Sequence, residues 1–353
     1  MSADITLNAD GSAKFFMSRG RTAWHRLGNP IPGDVAPEEA QKLAGATFRY
    51  ELAPLFTNDP IAGGKRLVEG RSAIVRDDTG DVLDVVGGRY EIVQPGAAFD
   101  FFVNVAKSAN VTIETGGVLR NGAGVWALAS VATGDVIAGA QMKKYVLFSN
   151  SIGRSVIIKP TGVLVVCANT EAMALSDGEA SARIRHTRGV HKRIEEATEA
   201  VQSAGAAFVT ELETRRSLAN IKADPEAFFK VLHPSKEGAK RDHAKLVREE
   251  MLTAYNGAPG SNLARGSLYA AVNAATYVYT HGEKSATQAS EQPGGYLDSF
   301  IDGALDKKTQ EVYRVAVMLA NGKEAEMLAH EAASHGVSDR QIGGQFLADF
   351  MAN

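Results

Sequence analysis

The sequence predicts an α+β protein: an antiparallel β-rich N-terminal half with one inserted helix, followed by a mostly helical C-terminal half. Three observations carry this expectation. Short β-branched and aromatic runs, punctuated by turn residues, fill positions 47–168. From Val190 the apolar residues recur instead every three or four positions. Nothing alternates as repeated βαβ units, so the strands are expected to pair as hairpins.

The 353 residues are 44% hydrophobic and 22% charged, which allows a substantial core and argues against wholesale disorder. A formal net charge of -3 excludes a uniformly basic nucleic-acid coat, so any polyanion site must be local. The N-terminal residues hold no apolar core of signal-peptide length, and nowhere do 18 apolar residues run together. The single cysteine, Cys167, cannot form an intramolecular disulfide. A cytoplasmic protein without a cofactor is the expectation.

Residues 1–38 read as an arm: Phe15, Phe16, Arg19, Arg21, Trp24, His25 and Arg26 precede a run broken by Pro30, Pro32 and Pro37. Pro37, Glu38 and Glu39 suit the first turn of a short helix, where proline is permitted and acids complement the dipole. A β-rich domain over 39–182 follows. Its strands are FRYEL, SAIVRD, DVLDVV, YEIV, VTIE, VWALASV, YVLF, SVIIK and VLVVCA, with turns at 77–80, 87–88, 116–117 and 121–122. The inserted helix spans Pro95–Ser108, with Ala98, Phe101, Phe102 and Val105 on one face.

The helical region covers 183–353. Val190, Ile194, Ala197, Val201, Ala204, Phe208 and Leu212 form a near-heptad seam on its first helix. Further helices are expected at 225–232, 238–255, 264–280, 306–334 and 338–351. The stretch 281–295 has the composition of a flexible loop.

No catalytic constellation stands out. His330, Glu331 and His335 mimic a zinc-protease motif, but three residues separate Glu331 from His335 instead of two. At that spacing the imidazoles diverge by about 140° around a helix. Cys167 ends a very apolar strand and reads as a core residue. Neither a phosphate loop nor a dinucleotide fingerprint occurs. Asp77, Asp78, Asp81 and Asp84 bracket a turn, where acids are common for conformational reasons. Asn169 and Thr170 read as helix caps. No metal site is expected.

Two basic stretches are the candidate binding residues. Arg183, Arg185, Arg188, Lys192 and Arg193 crowd together with His186 and His191, with no acid among them. A polyanion would use that charge, and its binding would weaken steeply with salt. In the second stretch Lys143, Lys144, Tyr145, Arg154 and Lys159 frame a hairpin that turns at 150–153. Single-strand binders combine a positive groove with aromatic faces on which bases stack. Tyr145 and Phe148, three positions apart, face opposite sides of a strand, so at most one of them stacks.

Several motifs resemble one known family: Trp24-His25-Arg26-Leu27-Gly28, Arg89-Tyr90-Glu91-Ile92-Val93-Gln94, Val166-Cys167-Ala168-Asn169-Thr170, Arg185-His186-Thr187 and Ala271-Val272-Asn273-Ala274. Together they are similar to the "phage/plasmid-like protein" family, also catalogued as a domain of unknown function. That resemblance implies a setting in phages, prophages and plasmids but assigns no activity. The β-then-α plan also resembles, at the level of architecture, the single-strand annealing proteins of the RecT and Red-beta type. This likeness implies an oligomer with single-stranded DNA along the basic residues. The leading expectation is therefore sequence-tolerant single-stranded DNA binding, with strand annealing in recombination. A metal-dependent nuclease or hydrolase using Asp77, Asp78, His186 or His191 is the alternative, and a phage protein that binds a host protein is the third reading.

Overall fold

The computed structural model describes residues 15–18, 29–31, 36–108, 111–137, 139–164, 169–170, 182–196, 199–235, 243–281 and 304–321. Strands β1 (Phe15–Ser18) and β2 (Asn29–Ile31) come from the arm. Helix α1 (Pro37–Leu43) leads to β3 (Tyr50–Asn58), β4 (Lys65–Arg76) and β5 (Val82–Gly87). Helix α2 (Pro95–Ser108) then precedes β6 (Thr112–Leu119), β7 (Gly124–Ile137), β8 (Ala140–Ser151), β9 (Ser155–Leu164), β10 (Asn169–Thr170) and β11 (Ala182–Arg185). The helices that follow are α3 (Val190–Glu196), α4 (Glu199–Asn220), α5 (Pro225–Leu232), α6 (His243–Gly257), α7 (Leu268–His281) and α8 (Ala304–Ala320).

The α+β expectation holds. Strands β3-β4-β5 form a small antiparallel sheet. The larger, eight-stranded sheet runs β10-β9-β8-β7-β6-β1-β2, with β11 also on β9. Among the described residues, only β1 and β2 pair in parallel. Two pieces of the arm thus extend the sheet at its β6 edge. The larger strands are longer than the apolar runs that announced them, because pairing recruits flanking polar residues. Gly116 and Gly117, expected in a turn, lie inside β6 opposite Phe16 and Phe15. Asn169 and Thr170, expected as helix caps, pair with Leu164 and Val163.

Strand β9 joins two runs that the sequence separates at Pro160. Its outer edge pairs with β11 over Ser155–Ile158 and with β10 at Val163 and Leu164. Pro160 falls between those pairings, where its missing N–H costs no ladder bond on that edge.

Side chains alternate across the large sheet and divide the core. Val146 and Phe148 of β8 join Phe99, Phe102, Val190 and Ile194 on one face. Tyr145 and Leu147 join Trp126, Leu128, Ile157 and Leu305 on the other. Helices therefore cover both faces, not one side alone. A third cluster unites the far end of β7 and β8 (Val136, Ala140, Met142) with α4 to α8. Gly134 permits this closeness: a Cβ there would meet Leu212 Cδ1 at 2.2 Å. Within the predicted seam, Val190, Ile194, Phe208 and Leu212 are buried. The seam is carried by α3 and α4, and Ala197 lies outside the described residues.

Caps and side-chain mimicry set local geometry. Pro225 begins α5 after Asp224, whose carboxylate accepts from the Glu226 N–H at 3.0 Å. Gln94 pairs with the backbone of Tyr50 through both amide atoms, at 2.8 and 2.9 Å, and so ties the start of α2 to β3. Trp24, His25, Cys167, the 330–335 motif, the loop beyond His281 and the expected helix at 338–351 lie outside the described residues. Among the described residues no helix is long and apolar enough to cross a membrane.

Charge, unusually, joins helices to sheet. Lys144 in the middle of β8 pairs with Glu211 of α4, and both are buried. Arg215, fully buried, reaches Glu211 Oε2 at 3.3 Å and donates to Tyr313 Oη of α8 at 3.0 Å. On the opposite face Lys159 pairs with Asp306 of α8. Removing one member of a buried pair strands the other, which costs about 3–5 kcal/mol. Glu211→Ala should therefore lower stability by about that much in urea titration. Glu311→Ala, which breaks a half-exposed pair with Arg314, should stay within about 0.5 kcal/mol. Equal midpoint shifts for the two variants would contradict this account.

Candidate nucleic-acid interface

The hairpin half of the predicted interface turns inward. Lys144 and Lys159 have side chains only 2% and 6% exposed, each against a carboxylate. Lys143 Nζ lies 2.9 Å from Glu114 Oε2. Tyr145 Oη donates to the same oxygen at 2.9 Å, and burial beside Glu114 raises the phenol pKa, so it stays protonated. Tyr145 and Phe148 do face opposite sides, but both are buried. The expected phosphate contacts from Lys143, Lys144 and Lys159, and stacking on Tyr145, are thus corrected. Their partners come from β6, α4 and α8, elements the hairpin sequence cannot reveal.

The other half stays at the surface. On β11, Arg183 and Arg185 are exposed while Ile184 is buried, and His186, just past the strand, continues the alternation inward. Arg188 and Lys192 are exposed on the loop and first turn of α3. Arg154, half-exposed, joins them because Ser155 pairs with Arg185. Arg193 is different. Its guanidinium donates to the carbonyls of Arg185, Thr187 and Arg188 at 3.0, 3.1 and 2.8 Å, and to Thr187 Oγ1 at 3.0 Å. It holds the loop instead of presenting charge, which corrects the expectation for that residue. Arg183 and Arg185 project from the Ile157 face of the sheet, whereas α3 covers the other face. The surviving cations therefore straddle one edge.

Beneath that edge lies a cluster that sequence reasoning missed. His186 is 3% exposed, its Nε2 sits 2.7 Å from Asn150 Oδ1, and its ring stacks on Tyr90 at 5.0 Å. Asn150 Nδ2 donates to the Val93 carbonyl at 3.0 Å, which orients the amide so that His186 Nε2 is the donor. The Glu91 N–H donates to the His186 carbonyl at 3.1 Å, and Glu91 Oε2 accepts from the Gly189 N–H at 2.9 Å. Two resembling motifs, 89–94 and 185–187, thus meet in space. Their co-occurrence was the available signal, but sequence order alone did not show that they touch.

Two cavities flank the turn between β8 and β9. One, about 450 Å³, lies between α2 and α3; Val93, Ala97, Phe101, Asn104, Asn150 and His191 are among its lining residues. The other, about 510 Å³, is polar and includes Asp81, Asp84, Arg120, Asn121 and Arg154 in its wall. Its floor is backbone-strained: Arg120 and Asn121 have φ of 49° and 52°. Buried Arg76 braces this turn by donating to the Asn121 carbonyl at 2.8 Å and clasping Asp78.

The acids around that turn have structural duties. Asp77 accepts from the Arg49 N–H at 2.8 Å. Asp81 accepts from Thr79 and Asn121, which lowers its pKa. Among the described residues no three His, Cys, Asp or Glu side chains are grouped to hold a metal ion.

The fold and this corner define an α+β protein with a cationic sheet edge above a buried histidine cluster. A family described as "Domain of unknown function (DUF932)" matches residues 82–314, and the chain belongs to it. The match begins in β5 and ends in α8, so it takes in both the edge and the histidine cluster. No curated protein and no solved structure matches the chain.

Burial lowers the His186 pKa below the usual histidine value of about 6.5; the Arg154 carbonyl acts against this and His191 adds to it. Between that value and the lower folded one, the unfolded chain binds the proton more readily. Stability should therefore fall as pH drops below about 6.5. Urea midpoints at several pH values should decline less in His186→Gln, because His233 and His281, also lowered by burial, remain in both chains. Parallel curves would remove His186 from the account.

Proposed function

We propose that the protein binds single-stranded DNA with little sequence preference, as an oligomer, and promotes strand annealing in phage or plasmid recombination in the host-cell cytoplasm. One observation carries the reading: the β9–β11 pairing gathers Arg154, Arg183 and Arg185 on the edge that continues into Arg188 and Lys192. On a molecule of net charge -3, such local concentration is what a polyanion site requires. The track is shorter than the two basic stretches suggested, since the hairpin lysines are spent on internal carboxylates.

The small sheet supports the oligomer. Leu52, Phe56, Leu67 and Val82 are 50–63% exposed and Ile61 is 96% exposed. Phe56 and Leu67 sit opposite each other on β3 and β4. Exposed apolar residues concentrated on one hairpin mark an interaction surface.

Labelled oligo-dT tested at 50 and 200 mM salt checks the DNA reading. Five phosphate contacts on a single strand correspond to a log–log slope of about -3.5, or roughly a hundredfold loss of affinity over that range. Arg183→Glu with Arg185→Glu should weaken binding and flatten the slope by about 1.4; no binding by the wild type at 50 mM salt ends the proposal. Sedimentation velocity checks the assembly: the wild type should run as an oligomer and Phe56→Asp with Leu67→Asp as a smaller species. A monomeric wild type contradicts that part.

A further inference from the structure

We infer that the cavity between α2 and α3 is a pocket for one unstacked base of the bound strand. This deepens the single-stranded DNA reading and rests on it. Tyr145, the aromatic that the sequence offers for stacking, is buried against Glu114. Phe101 replaces it. Its ring is half-buried, meets Phe102 and Phe148 edge to face at 6.1 and 6.2 Å, and lines the cavity.

The walls suit a heteroaromatic ring. Ala97, Asp100, Phe101 and Asn104 fall at helical spacing along one stripe of α2, and all four line the space. Val93, Val156 and Ile194 supply apolar surface deeper in. Asp100 and Asn104 are exposed at the rim, one an acceptor and the other both donor and acceptor, the pair of functions that reads a base edge. At about 450 Å³ the cavity lies within the range of small-molecule sites.

Charge decides which part of a nucleotide enters. The Asp100 carboxylate opposes a phosphate in the cavity. Arg188 and Lys192, exposed on the loop and first turn of the α3 wall, are suited to hold the phosphate outside. His191, adjacent to Lys192, lines the same cavity. A base inside and its phosphate on α3 satisfy both constraints, whereas an acyl chain would leave the rim polar groups unmatched. Stacking on Phe101 is open to any base, because every base has a π-face, and the two rim groups can only grade the preference among bases.

The test compares a dT oligonucleotide with an abasic oligonucleotide of the same length and charge, by fluorescence anisotropy on the full chain at low salt. The dT strand should bind about tenfold more tightly, within the span that base–aromatic stacking provides. Phe101→Ala should erase this difference and leave abasic affinity unchanged. Ala97→Phe, at an exposed rim position that fills the cavity without removing core, should do the same. Equal wild-type affinity for the two strands overturns the pocket while leaving the phosphate edge intact. A dT preference that survives in both variants also overturns it. Failure of both strands to bind defeats the DNA reading itself.

Discussion

The pairing of Lys144 with Glu211 is the constraint on which the architecture turns. An ammonium in the middle of β8 is expensive to desolvate, and only a carboxylate delivered to it makes that position tolerable. Helix α4 delivers it. Once docked there, α4 also brings Arg215 to Tyr313 of α8 and seats Leu212 over Gly134. A second pair, Lys159 with Asp306, fixes α8 from the other side of the sheet. Two lysines on the adjacent strands β8 and β9 thereby commit both faces of the sheet to helices.

With helices on both faces, the sheet carries exposed cations at one edge. At the β9 side, the position of Pro160 between β11 and β10 divides the edge into two short pairings. The β11 pairing matters for charge, because it sets Arg183 and Arg185 beside the turn that holds Arg154. Beneath it, Asn150 and His186 hold the turn to the 89–94 segment. The cationic residues thus rest on a buried, hydrogen-bonded polar cluster, which holds the backbone beneath them in place.

The small sheet plays a different part. Its base belongs to the main core through Tyr50 and Ile74, while apolar residues farther out on β3 and β4 remain exposed. The family match begins after this hairpin, in β5. The proposed strand binding and the proposed self-association therefore rest on separate elements, and substitutions in one need not disturb the other.

Local chemistry was legible in the sequence. Proline and apolar spacing marked Pro95–Ser108 and Pro225–Leu232 with their observed limits, and the hairpin turn at 150–153 and the strand-rich first half were equally plain. Partnership was not legible. A lysine on a strand reads the same whether its counterion is a phosphate or a glutamate 67 residues further on, so Lys144 and Lys159 looked like surface cations until α4 and α8 were placed. Likewise the 89–94 and 185–187 motifs occur together in the sequence, but their contact was not legible, because burial of His186 depends on a strand pairing between distant residues. Period and propensity act within a few residues and are written in the chain; charge neutralisation and edge pairing act across it, and only the tertiary structure decides them.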